Sequence, residues 1–183
     1  MDGDSGRRIH AETIDHAMLY LLARFLDICL LRAGPRDLPR SGRILAGTLA
    51  VDLALNYVSL APISTPIWAC LQIGTACLLT IGFLYGMLAL RGQRPRFLQA
   101  ASAVFGTDIV VSLVSLVMIF AFGGYHASFS QIAGLALDAV SIWNLIVLGN
   151  IFRSAMTLPL PGGILIALLY VIVSGVLTGG IAF

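Results

Sequence analysis

Two aspartates stand where a lipid-spanning chain tolerates charge least. Asp52 and Asp108 each interrupt a long apolar run near its middle, and Asn144 falls at comparable depth in a later run. A charge near the bilayer centre costs about 2.5 to 3.5 kcal/mol even on lenient insertion scales, so an intramembrane carboxyl calls for a functional explanation first. Two chemistries fit. In one, the carboxyls relay a proton or cation, changing protonation as a pathway opens to alternate sides. In the other, a protonated carboxyl donates to an amide oxygen, or accepts from an amide nitrogen, and pins helices together. Asn56 lies one turn from Asp52 on the same helix face. Asp138 is placed nearer the outer surface, at about the depth of Gln72. The sequence thus allows a central polar layer of Asp52, Asn56, Asp108 and Asn144 and an outer layer of Asp138 and Gln72.

The usual routes to catalysis are missing. His10, His16 and His126 form no metal-ligand cluster, and Cys29, Cys70 and Cys77 include no C-x-x-C and read as small core residues. There is no H-E-x-x-H, G-x-S-x-G, P-loop or dinucleotide fingerprint, and the absence of lysine excludes Schiff-base chemistry. The expectation is a non-enzymatic protein with no cofactor and no metal.

The elements that must hold these polar groups are transmembrane helices. Hydrophobic residues make up 58% of the 183-residue chain and charged ones 11%, with a mean hydropathy of +0.95, which excludes a soluble domain with a solvated surface. Five apolar runs, 44–61, 67–90, 97–122, 132–152 and 164–183, are each long enough to cross and show no period-two alternation. The predicted fold is all-α and polytopic, with a cytoplasmic N-terminal segment over 1–43 and a five-helix transmembrane domain over 44–183. The connections carry breakers: Pro62 and Pro66, Gly92 and Pro95, Gly123 and Gly124, then Pro159 to Gly163.

Every arginine falls on one side of this arrangement. Arg7, Arg8, Arg24, Arg32, Arg36, Arg40 and Arg43 precede the first span, Arg91, Arg94 and Arg96 lie between the second and third, and Arg153 follows the fourth. The positive-inside rule then places the N-terminus in the cytoplasm and Phe183 on the opposite face. Before the first span, Ile14, Met18, Leu21, Leu22, Phe25 and Ile28 recur at helical spacing, interrupted by Arg24 and Asp27. This predicts an amphipathic cytoplasmic helix over about 11–31, too short and too charged for a sixth crossing and lacking a signal-peptide cleavage site.

Gly82 and Gly86, and Gly175 and Gly179, have the small-xxx-small spacing that lets helices approach closely, within the bundle or in a dimer. Tyr57, Trp68, Tyr85 and Tyr125 lie where aromatic rings anchor an interface, while Trp143 is deeper and should pack against a neighbour. Arg32, Arg36, Arg40 and Arg43 form a basic group that could face anionic lipid, although topology alone accounts for the same residues. The expected partners are membrane lipids and either another protein or a second copy, with no nucleic acid among them.

The order of features resembles the Yip1-like membrane family. A cytoplasmic N-terminal segment leads through a Gly-Pro approach, Gly34-Pro35-Arg36-Asp37-Leu38-Pro39, into five closely spaced spans, and Trp143 to Asn150 is the most suggestive later stretch. Here Asp37 follows the Gly-Pro, whereas the family's acidic-aromatic signature precedes it. The resemblance implies a membrane protein acting through partners. Arginine in place of lysine points to a bacterial inner membrane. The function expected first is a non-enzymatic scaffold or accessory subunit of a membrane complex, acting through protein or lipid partners; the alternative is a small proton- or cation-coupled transporter using Asp52 and Asp108.

Overall fold

In lipid a backbone must satisfy its own hydrogen bonds, so long apolar runs without internal proline have helices as their only open-chain solution. The computed structural model describes residues 19–121 and 131–179, and among these every regular element is helical. A short helix α1 spans 19–29. It is followed by α2 (Gly42–Leu60), α3 (Pro66–Leu90), α4 (Phe97–Ala121), α5 (Gln131–Met156) and α6 (Leu160–Gly179). The last five are long and apolar enough to cross a membrane.

The span boundaries hold within a few residues except around α5 and α6. The first of these continues through Arg153 to Met156, and the second starts at Leu160, before the expected break at Pro161 and the following glycines. Proline in the first turn lacks only a donor that the helix leaves unpaired anyway, so Pro161 starts α6 without breaking it. The turn between them places Thr157 at φ 54°, a left-handed conformation uncommon for a side chain with a branched β-carbon.

Short connections make consecutive long helices antiparallel, so α2, α4 and α6 start at the arginine end while α3 and α5 finish there. The most extensive pairings are α5 with α6, α2 with α4, and α4 with α5, and α3 touches α2, α4 and α6 more lightly. The five helices thus form a ring, α2–α4–α5–α6–α3. Its inside is packed unevenly. Leu84, Leu88, Ala100, Ala101, Phe105, Val147, Leu148, Ile151, Phe152 and Met156 are buried, and all lie toward the arginine end.

That end is capped by the segment before α2. A single 3-10 turn, Pro35–Asp37, contacts α4 and α5, with Pro35 and Leu38 buried beneath the bundle. Gln99 of α4 fixes it: Nε2 donates to Leu38 O at 2.6 Å, and Oε1 accepts from Arg40 Nε at 3.2 Å.

The expected N-terminal helix is present over 19–29, and its earlier part, with Ile14 and Met18, lies outside the described residues. Phe25, Ile28 and Cys29 share one face, as the spacing indicated, but that face enters the bundle core instead of resting on its surface. The Phe25 ring fills a notch left by Gly106 on α4, and Trp143 of α5 donates to Cys29 O at 3.1 Å. Burial pushes the Cys29 thiol up to about 11, so it stays protonated and acts as a small core residue. Arg24 and Asp27 point away from the bundle, 4.0 Å apart, among exposed Leu19, Leu22, Leu26 and Leu30. An outward face that mixes an ion pair with leucines suits the lipid boundary better than water.

Candidate functional site

Because α2 and α4 run side by side in the same direction, residues equally far from their starts meet at equal depth. Asp52 is ten residues into α2 and Asp108 eleven into α4. At a rise of about 1.5 Å per residue, both lie roughly 15 Å from the arginine end, which is the middle of a bilayer core about 30 Å thick. Their carboxyls are within hydrogen-bonding reach of one another, and both are within reach of the Asn56 amide. Asn56 Nδ2 donates to Asp52 Oδ1 at 3.1 Å and to Asp52 O at 2.9 Å. Asp52 is only 5% exposed.

An ionised carboxylate accepts hydrogen bonds but cannot donate them. Direct contact between Asp52 and Asp108 is therefore attractive only when the pair carries a proton; the Asn56 amide has two N–H donors and can bridge to either acid, but it does not put a donor between the two carboxyls themselves. Two carboxyls so placed could share one proton, which would then belong to neither residue alone.

The pair borders a cavity of about 240 Å³ inside the ring. Asp52 and Asn56 come from α2, Gln72, Cys77 and Thr80 from α3, Asp108 from α4, Asn144 from α5, and Tyr170 from α6. Tyr170 and Thr80 share a hydroxyl–hydroxyl hydrogen bond of 2.8 Å that ties α6 to α3 across the cavity. On the arginine side Tyr170, which lines the cavity, packs against Phe83 at 5.4 Å and Phe152 at 6.1 Å by ring centroid. In the other direction the lining continues through Gln72 to Leu60 and Thr178, in the last turns of α2 and α6. The space thus runs from mid-membrane toward the end opposite the arginines and is blocked on the arginine side. Its described lining includes two acids and no lysine, arginine or histidine.

Of the predicted polar residues, Asp52, Asn56, Asp108 and Asn144 converge on one cavity, and Gln72 joins them at its outer part. Asp138 does not: it is exposed on the outer half of α5, away from the cavity. The outer polar layer is therefore not formed, since Asp138 and Gln72 share a depth but not a helix face direction. Thr80 and Tyr170 were absent from the sequence reading. A lone threonine and tyrosine within apolar helices carry no spacing signal, and only the α3–α6 packing brings them together.

The glycine expectations also change. A Cβ on Gly82, Gly86 or Gly175 would meet nothing within 4 Å, so these three do not hold the bundle together. Gly179 ends α6, and its surroundings lie outside the described residues. The close approaches are instead at Gly106, Gly149 and Gly163. Arg32, Arg36, Arg40 and Arg43 are all exposed at the arginine end, but only Arg36 and Arg40 are fixed by side-chain hydrogen bonds among the described residues. No group of three or more potential ligands for a metal ion occurs among the described residues. Compared with family models, curated proteins and solved structures, the chain matches none.

Proposed function

We propose that this protein is a small membrane carrier in which movement of a cationic or polar solute is coupled to protonation of the Asp52–Asp108 pair. The observation that carries this reading is the placement of the pair: Asp52 and Asp108, ten and eleven residues into parallel helices, both line one cavity to which all five spanning helices contribute. Pinning α2 to α4 needs one hydrogen bond and no cavity. A proton-holding pair on the wall of a 240 Å³ space, by contrast, places the proton where a solute would compete for it. The acidic lining without a base favours cations. The packed and aromatic arginine side, with polar space on the other, matches one of the two states that alternating access requires.

The direct measurement uses the full chain in proteoliposomes loaded with a pH-sensitive dye, with imposed gradients of sodium, potassium or methylammonium as probes. The wild type should move protons in response to at least one of these cations, and Asp108→Asn should remain folded and lose the response. No response beyond protein-free vesicles to any probe, or full retention by Asp108→Asn, overturns the carrier reading.

The one-sided arginines support an inner-membrane orientation with the N-terminus cytoplasmic and the C-terminus periplasmic in a bacterium. A topology reporter fused after Phe183 should behave as periplasmic and one fused after Arg94 as cytoplasmic. Both reporting the same side overturns the orientation.

A second reading, an accessory subunit or homo-oligomer in the manner the Yip1-like resemblance implies, is favoured by the uncontacted Gly82–Gly86 face of α3. The same liposome experiment separates the two, because a scaffold keeps its associations in Asp108→Asn and moves no protons in the wild type.

A further inference from the structure

We propose that Arg36, Arg40 and Arg96 form a binding site for the phosphate of an anionic phospholipid at the arginine end of the bundle. These residues come from different parts of the chain. Arg36 and Arg40 belong to the capping segment before α2, and Arg96 to the turn Arg94–Arg96 before α4. Arg36 and Arg96 converge on the end of α5: Arg36 Nε donates to Ser154 O at 3.1 Å, and Arg96 Nη1 donates to Ala155 O at 3.3 Å. The acceptors are carbonyls of consecutive residues, and both arginines line the same crevice. Gln99 holds the third, taking Arg40 Nε on Oε1 at 3.2 Å while its Nε2 reaches Arg36 O at 3.4 Å.

Each of these contacts uses only part of a guanidinium's five donors. Arg36 and Arg40 bond through Nε and keep both Nη groups for another acceptor. The negative end of α5 contributes only about half an elementary charge against three cations. Asp37, the nearest acid in the segment, turns back and accepts from the Gly34 N–H at 2.9 Å. A phosphate offers two unesterified oxygens to a guanidinium fork, the geometry arginine matches best.

Two further features identify the phosphate as that of a lipid. Arg36, Arg96 and Gln99 line one crevice with Pro35, Ala100 and Ala155, and it is too narrow to admit a water, so an anion would rest over its mouth and remain attached to something outside. Leu98, two residues beyond Arg96, is 36% exposed and offers an apolar surface to an acyl chain. Topology alone does not require this arrangement. Arg91 and Arg94 lie at the same end, are exposed, and have no side-chain hydrogen bond among the described residues.

The test is a native mass spectrometry titration of the full chain in detergent with phosphatidylglycerol, phosphatidylcholine or inorganic phosphate. Wild type should bind phosphatidylglycerol in preference to phosphatidylcholine. R36Q/R96Q should weaken that binding roughly thirtyfold, while R91Q/R94Q, with the same change in formal charge, should weaken it by less than about threefold. Because Arg36 also ties the cap to α5, and Arg96 ties the turn before α4 to α5, Arg40→Gln serves as a milder variant that leaves those bonds in place and should cost about fivefold. Equal losses in the two double variants, no preference between the lipids, no loss in Arg40→Gln, or complete displacement of phosphatidylglycerol by equimolar inorganic phosphate each overturn the proposal.

Discussion

Asp108→Leu should loosen the α2–α4 pair by about 0.6 to 2 kcal/mol, the range of an interhelical hydrogen bond in a membrane, whereas Asp108→Asn should stay close to wild type. The difference follows from donor arithmetic. Leucine leaves Asp52 and Asn56 facing an apolar side chain, so the Asp52 carboxyl loses its partner on α4 and must turn to whatever the cavity offers. Asparagine keeps the size of aspartate and brings its own amide donor, so the contact with Asp52 survives without a shared proton. Thermal unfolding in detergent reads the stability of both variants, and proton movement in liposomes reads the second consequence. The carrier reading requires Asp108→Asn to be folded and inactive. If leucine is as stable as asparagine, the two carboxyls are not in contact, and the proton-holding pair is lost as an explanation for either fold or function.

The spanning helices were legible because lipid leaves the chain few choices. Long apolar runs separated by Pro62, Pro66, Gly92 and Pro95 define where it can turn, and single-sided arginines define which ends coincide. The depth of Asp52 and Asp108 followed from counting along those runs. Their contact did not, since it depends on α2 lying beside α4 while the intervening α3 packs elsewhere in the ring. Hydrophobic periodicity carries little rotational information here because lipid and helix neighbours are equally apolar, so residues on both faces look alike. The same degeneracy hid the insertion of α1. Nothing local to Phe25 announces that its ring fills the space beside Gly106, eighty-odd residues later. Asp138 shows the complementary limit: counting along α5 places it in the outer half, but the direction in which the residue faces was not available from the sequence.

Gly163→Ala should destabilise the bundle by about 1 to 3 kcal/mol, although it adds one methyl group to a helix. An alanine normally improves a helix at glycine's expense by roughly 0.5 to 1 kcal/mol. At Gly163 that gain is overridden, because the new Cβ would lie 2.7 Å from Arg153 Cβ and 2.9 Å from Arg153 N, and closer still to Gly149 O. Most of these atoms are backbone and cannot swing aside. Gly149 faces the same crossing, with its own Cβ position 3.1 Å from Ile164 Cα. The two glycines therefore set how closely α5 and α6 approach in their most extensive contact, and any side chain forces the helices apart along its length. Gly82→Ala, Gly86→Ala and Gly175→Ala should leave stability unchanged or raise it by up to about 1 kcal/mol, since open space surrounds those positions. Parallel melting curves in detergent decide the matter. A Gly163→Ala protein that melts with the wild type would mean that α5 and α6 do not cross at these glycines, whereas losses confined to Gly82→Ala and Gly86→Ala would move the essential contact to α3 and to a second chain.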